Sequence, residues 1–158
     1  MSNAGYLKAK EIYNSLCAAM EANDWNFRKI EEDMVVVSTI KGDDFPIDFV
    51  IKVNPDVEKL TFISYLPTKA PEDKRVDFAL AVCQANYGLT QGRFDYDISD
   101  GTISYENYTS FRFNDINPEH YEYLIMVSAG IIDKYNDKFF MMEKGVMTIK
   151  QFIEQDQQ

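Results

Sequence analysis

The sequence predicts an α+β domain: one antiparallel β-sheet packed against helices, in the order α-β-β-β-β-α-β-β-α-α. Three observations carry this expectation. Long segments near both ends repeat apolar residues at helical spacing. Between them, short runs alternate apolar and polar residues or are rich in Val, Ile, Phe, Tyr and Thr, as strands are. The breaks between those runs are short and made of Gly, Asp, Asn and Pro, so neighbouring strands are joined as antiparallel hairpins with the helices set to one face.

The elements follow in order. A first helix spans about Gly5 to Ala22, with Ala9, Ile12, Tyr13, Leu16, Ala19 and Met20 on its core face. Asn23-Asp24 breaks it, and Trp25 and Phe27 open a short strand. Met34 to Ile40 is the second strand. Phe45 to Val53 is the third, with Ile47, Phe49, Ile51 and Val53 facing one way and Asp48 and Lys52 the other. Asn54-Pro55-Asp56 turns into a fourth strand, Leu60 to Leu66. A helix starts at Pro71 and reaches Tyr87, with Gly88 in the place of a left-handed stop. Phe94, Tyr96 and Ile98 then alternate with Arg93, Asp95 and Asp97, and Asp100-Gly101 turns the chain into a return strand, Thr102 to Phe113. Asn117-Pro118-Glu119 starts the last long helix, Gly145 ends it, and Thr148 with Gln151 forms a capping box for a short final helix. Residues 5–154 form a single domain, with 1–4 and 155–158 as flexible termini.

The central helix is apolar on two faces. Val76, Ala79, Leu80, Cys83 and Tyr87 share one face; Phe78, Ala81, Val82 and Ala85 share the other. Such a helix needs two partners. One is the domain's own sheet, and Phe78, Val82 and Ala85 are taken as the interaction face for a protein partner or a second copy. The alternative is that this face packs under the last long helix of the same chain.

Composition limits function. The 158 residues are 46% hydrophobic and 14% aromatic, which is globular, and 26 acidic against 16 basic residues give a net charge of −10. That sign speaks against nucleic acid and against an anionic membrane surface. No apolar run is long enough to cross a bilayer, and no secretory leader is recognisable at the N-terminus. Cys17 and Cys83 fall on apolar helix faces and read as free thiols of a reducing, cytoplasmic protein.

Candidate chemistry is sparse. Asp95, Asp97, Ser99 and Glu106 stand at the first, third, fifth and twelfth positions of a calcium-loop spacing. The glycine falls one place late, however, and the flanks read as strands, so these side chains fit the solvated face of a strand at least as well. Tyr105, Tyr108, Phe111 and Phe113 could line an apolar groove or fill the core. His120 is the single histidine and reads as exposed. Asp133 and Asp137, interleaved with Lys134 and Lys138, read as a mixed-charge helix face. No phosphate-binding glycine loop and no nucleophile–base spacing is present, and no cofactor is expected.

Several motifs in order, Asp24-Trp25-Asn26-Phe27, Pro71-Glu72-Asp73-Lys74-Arg75 and Ala85-Asn86-Tyr87-Gly88-Leu89, resemble the YbjN-type proteins, a bacterial group whose domain is similar to the type III secretion chaperone fold. Phe94-Asp95-Tyr96-Asp97 with Asp100-Gly101, and Asp133-Lys134-Tyr135-Asn136-Asp137-Lys138-Phe139, extend the resemblance, which covers about Ala9 to Phe152. It implies an antiparallel sheet packed on helices, a domain that is often dimeric, and a non-catalytic, chaperone-like or sensory-regulatory role with a protein partner. It implies no catalytic residues. A small-ligand or metal-responsive sensor is the alternative.

Overall fold

The computed structural model describes residues 3–156. Four helices and six strands follow in the expected order: α1 (Asn3–Ala22), β1 (Phe27–Ile30), β2 (Val35–Lys41), β3 (Pro46–Asn54), β4 (Lys59–Lys69), α2 (Arg75–Tyr87), β5 (Arg93–Tyr96), β6 (Thr102–Ser110), α3 (Pro118–Glu143) and α4 (Ile149–Asp156). The terminal helices pass the expected domain ends by two residues each, at Asn3 and Asp156. The rest of the expected flexible termini, Met1, Ser2, Gln157 and Gln158, lies outside the described residues.

The strands form one sheet in the order β1-β2-β3-β4-β6-β5. Every pairing is antiparallel. The register sets whole rows of side chains on one face. Val36 lies opposite Ile51, Ile51 opposite Phe62 and Phe62 opposite Asn107. Ser64 lies opposite Tyr105, and Tyr105 opposite Phe94. All of these are buried under the helices. The residues between them, such as Val37, Val50 and Ile63, form the other face and are only half-buried.

The core is aromatic. Phe49 stacks on Phe62, and Phe94 meets Tyr105, Tyr135 and Phe139 edge-on. Polar groups inside it tie the layers together. Asn107 on β6 donates to the Ser128 hydroxyl on α3. The Tyr121 hydroxyl on α3 donates to the Ile12 carbonyl on α1, 109 residues away in the chain. Asp133, read from the sequence as solvated, accepts from the Asp43 amide and pins the β2–β3 turn to α3.

Local signals formed as expected at most element ends. Asn117 accepts from the His120 amide at 3.0 Å. The Thr148 and Gln151 side chains bond each other's backbone amides at the start of α4. Gly88 differs: its φ is −93°, so α2 closes without a left-handed residue. Gly145, at φ +74°, does supply that conformation after α3.

Candidate functional site

Of the residues singled out as functional, the α2 face requires the plainest correction. Phe78, Val82 and Ala85 are buried in the chain's own core, where Phe78 stacks on Phe139. They cannot serve as an exposed interaction face in this fold. The reason is that α2 lies between the sheet edge and both C-terminal helices, and the bulky phenylalanine side turned inward. The exposed face is the opposite one: Val76 is 68% exposed, Leu80 52% and Tyr87 89%. Cys83 joins them as an exposed free thiol, whereas Cys17 is buried.

The four aromatics of the return strand do not share a groove. Tyr105 and Phe111 are fully buried, while Tyr108 and Phe113 are exposed. Strand alternation separates Tyr105 from Tyr108. Burial pushes the Tyr105 hydroxyl from the usual 10.0 up to about 12. Tyr108 lies on the opposite face, under the Lys59 ammonium at 4.0 Å from its ring centre.

The hairpin carboxylates are already committed. Arg93 pairs with Asp95 and Glu106, both at 2.9 Å. Asp97 accepts from the amide and hydroxyl of Ser99, closing its own turn. Asp100 does the same with Thr102, whose backbone amide and hydroxyl, with Lys69, hold its carboxyl down at about 2. Among the described residues no three His, Cys, Asp or Glu side chains are grouped to hold a metal ion. Asp95, Asp97, Ser99 and Glu106 stand on a β-hairpin instead of enclosing a common centre.

The site that the structure does build lies where β5 stops short of β6. A cleft of about 520 Å³ opens there, between Gln91–Arg93, the second half of β6 and the first turns of α3. Its cause is Gly92. With φ +63° it turns the chain off the sheet, and a Cβ at this position would collide with the Tyr105 hydroxyl. That hydroxyl donates to the Gln91 carbonyl and holds the departing segment. The β5–β6 ladder therefore ends at Arg93 opposite Glu106, although β6 continues to Ser110.

The direction of the free peptide groups follows from two bonds. The Asp97 amide donates to the Thr102 carbonyl on the β5 side, and the Phe111 amide donates to the Glu58 carbonyl on the β4 side. Alternation along the strand then points the peptide groups of Tyr108 and Ser110 toward the β5 side. No strand lies beside them there among the described residues. One wall is α3: His120 meets the Thr109 hydroxyl at 2.7 Å through Nε2, and Tyr123 accepts from Gln91 at 2.7 Å.

The neighbouring edge is treated in the opposite way. The outward peptide of Phe94 on β5 is closed by Asn86 at the end of α2, which donates to its carbonyl and accepts from its amide. An amide side chain thus takes the place of a further strand and closes this part of the edge. The sequence reading placed His120 in the first turn of α3 but missed Gln91, Gly92, Thr109 and Tyr123 as its neighbours. The available signal was the unequal length of the two hairpin strands, with a glycine at the start of the shorter one.

A single antiparallel sheet backed by helices on one face belongs to the class of type III secretion chaperone-like folds. Two solved structures share it at low identity. One is a chain of the HopA1–SchA chaperone–effector complex, with a TM-score of 0.55, 9% identity, and coverage of 78% of this chain and 91% of that one. The other is YbjN from E. coli, described as a putative transcription regulator, with a TM-score of 0.57, 10% identity, and coverage of 79% and 91%. Residues 13–141 match the YbjN family, "Putative bacterial sensory transduction regulator", and the chain belongs to that family. Comparison with curated proteins finds no match.

Proposed function

We propose that this chain is a non-catalytic, cytoplasmic protein-interaction module, chaperone-like or regulatory, and that it takes an extended segment of a protein partner as an added strand beside β6. The observation that carries the reading is the open half-edge at Tyr108 and Ser110, beside a cleft whose walls offer the His120, Gln91 and Tyr123 side chains. Main-chain bonds supply affinity in such an arrangement, and the wall side chains supply preference. The related fold in a chaperone–effector complex supports a protein partner. The exposed α2 stripe of Val76, Leu80 and Tyr87 is where a second copy would pair, in place of Phe78, Val82 and Ala85.

The test is Ser110→Pro. Proline removes a donor on the open side of β6 without removing a backbone bond of the β4 ladder. Affinity capture followed by mass spectrometry is expected to recover a partner with the wild-type chain and lose it with the folded variant. Equal recovery by both would sink the reading.

The second reading is a sensor for a small polar ligand, favoured by the size and polar walls of the same cleft. It predicts movement of the His120 ring signals in nuclear magnetic resonance when small polar metabolites are added, and Ser110→Pro would not abolish that response. The metal version requires Asp95 and Glu106 to release Arg93. Unchanged melting in calcium and in EDTA would remove it.

A further inference from the structure

The helices cover one face of the sheet, and the register shows what stands on the other. Its middle row runs Val37, Val50 and Ile63 across β2, β3 and β4, three apolar side chains in succession, each half-buried. On β3 two opposite charges flank this row. Asp48 stands two residues before Val50 and Lys52 two residues after it, on the same face, and both are exposed.

Neither charge is answered within the chain. At about 3.3 Å per residue the two stand roughly 13 Å apart, too far to pair with each other. Among the described residues neither makes an ion pair. Asp48 accepts only from the Thr39 hydroxyl, at 2.6 Å. The neighbours of Lys52 across the strands are Val35 and Thr61, which offer no carboxylate.

An acid, an apolar residue and a base in that order are their own complement. We propose that this face of the sheet binds the same face of a second copy, about a twofold axis that passes by Val50 and lies across the strands. Such an axis sets Asp48 of each copy against Lys52 of the other, and lays the apolar row on itself. It also brings the exposed Tyr65 of β4 over Thr61 of the second copy. The other twofold, along β3, would set Asp48 against Asp48 and Lys52 against Lys52. Aligned sheets pack about 10 Å apart, a gap that a lysine and an aspartate side chain span together. Arg28 and Glu106 flank the apolar row on β1 and β6. At the rim of the contact Arg28 turns to water, and Arg93 already holds Glu106. Two chains of net charge −10 repel each other in most orientations, and this one gives both acids at its centre a base. The contact rests on neither reading of the function above. The strand slot lies at the edge of β6 and the α2 stripe on a helix, so each can be filled while the sheet faces are paired.

Sedimentation velocity tests the contact, with every chain carrying Leu80→Glu so that pairing through the α2 stripe makes no contribution. This parent is expected to form dimers. Asp48→Lys and Lys52→Asp are each expected to weaken the dimer about hundredfold, since each sets two like-charged pairs at its centre. Both positions are exposed, so both variants are expected to melt like the parent. Mixing the two variants is expected to restore a one-to-one dimer, because each then supplies the charge that the other lacks. Single variants that dimerise like the parent would overturn the proposal, as would a mixture that stays monomeric. A monomeric parent would also overturn it, and dimers of the wild-type chain alone would then assign self-association to the α2 stripe.

Discussion

Gly92 decides whether the cleft exists. A side chain there meets the Tyr105 hydroxyl and must also adopt a left-handed backbone. Gly92→Ala is therefore expected to destabilise the chain by about 1–3 kcal/mol in urea unfolding and to weaken partner capture. Tyr105 itself gives a pH prediction. Its folded value lies near 12, above the usual 10.0, so burial favours the neutral form. The stability tied to that neutral form is whole below pH 10 and drains away as pH rises through about 12. Alkaline unfolding followed by circular dichroism should soften over this window in the wild type and less in Tyr105→Phe. Neither residue stood out in the sequence for these roles. Gly92 marks in the sequence only the point where helical spacing gives way to strand alternation, and Tyr105 is one of four strand aromatics. What sets them apart is a contact between a departing loop and a strand, and no local pattern encodes that.

The elements themselves were readable because their signals are local. The Asn117 cap, the Thr148–Gln151 box and the alternation of Ile47, Phe49, Ile51 and Val53 each depend on neighbours within a few residues, and each formed as expected. The α2 helix shows where that reading stops. Both of its faces are apolar, and a helical wheel cannot say which turns inward; Phe78 does, against Phe139. The expectation for substitutions reverses accordingly. Phe78→Glu places an unpaired charge in the core and is expected to cost more than about 4 kcal/mol, enough to unfold a marginal domain. Leu80→Glu lies on the exposed side and should change stability by no more than about 0.5 kcal/mol while lowering any self-association seen by sedimentation. If Phe78→Glu melts like wild type, the placement of α2 is wrong.

For the whole molecule, sheet order and helix placement decide what is left available. The chain closes the β5 edge with Asn86, covers one sheet face with helices and fills the α2–α3 groove with α4. The β6 half-edge and the α2 stripe remain open, the first because β5 begins only at Arg93 and the second because the Phe78 face of α2 turned inward. The fold class was legible because hairpins and helices announce themselves one at a time. The open half-edge was not, because it is a mismatch between two strand lengths. The bond from Tyr121 to Ile12 has a consequence for how the protein is made. A chain growing on the ribosome completes β1 to β6 before α3 emerges, and until then α1 has no α3 to rest on and much of the sheet's inner face stays bare. The domain must finish folding after nearly all of it has been synthesised, and during that interval its own aromatic core is the surface most in need of protection.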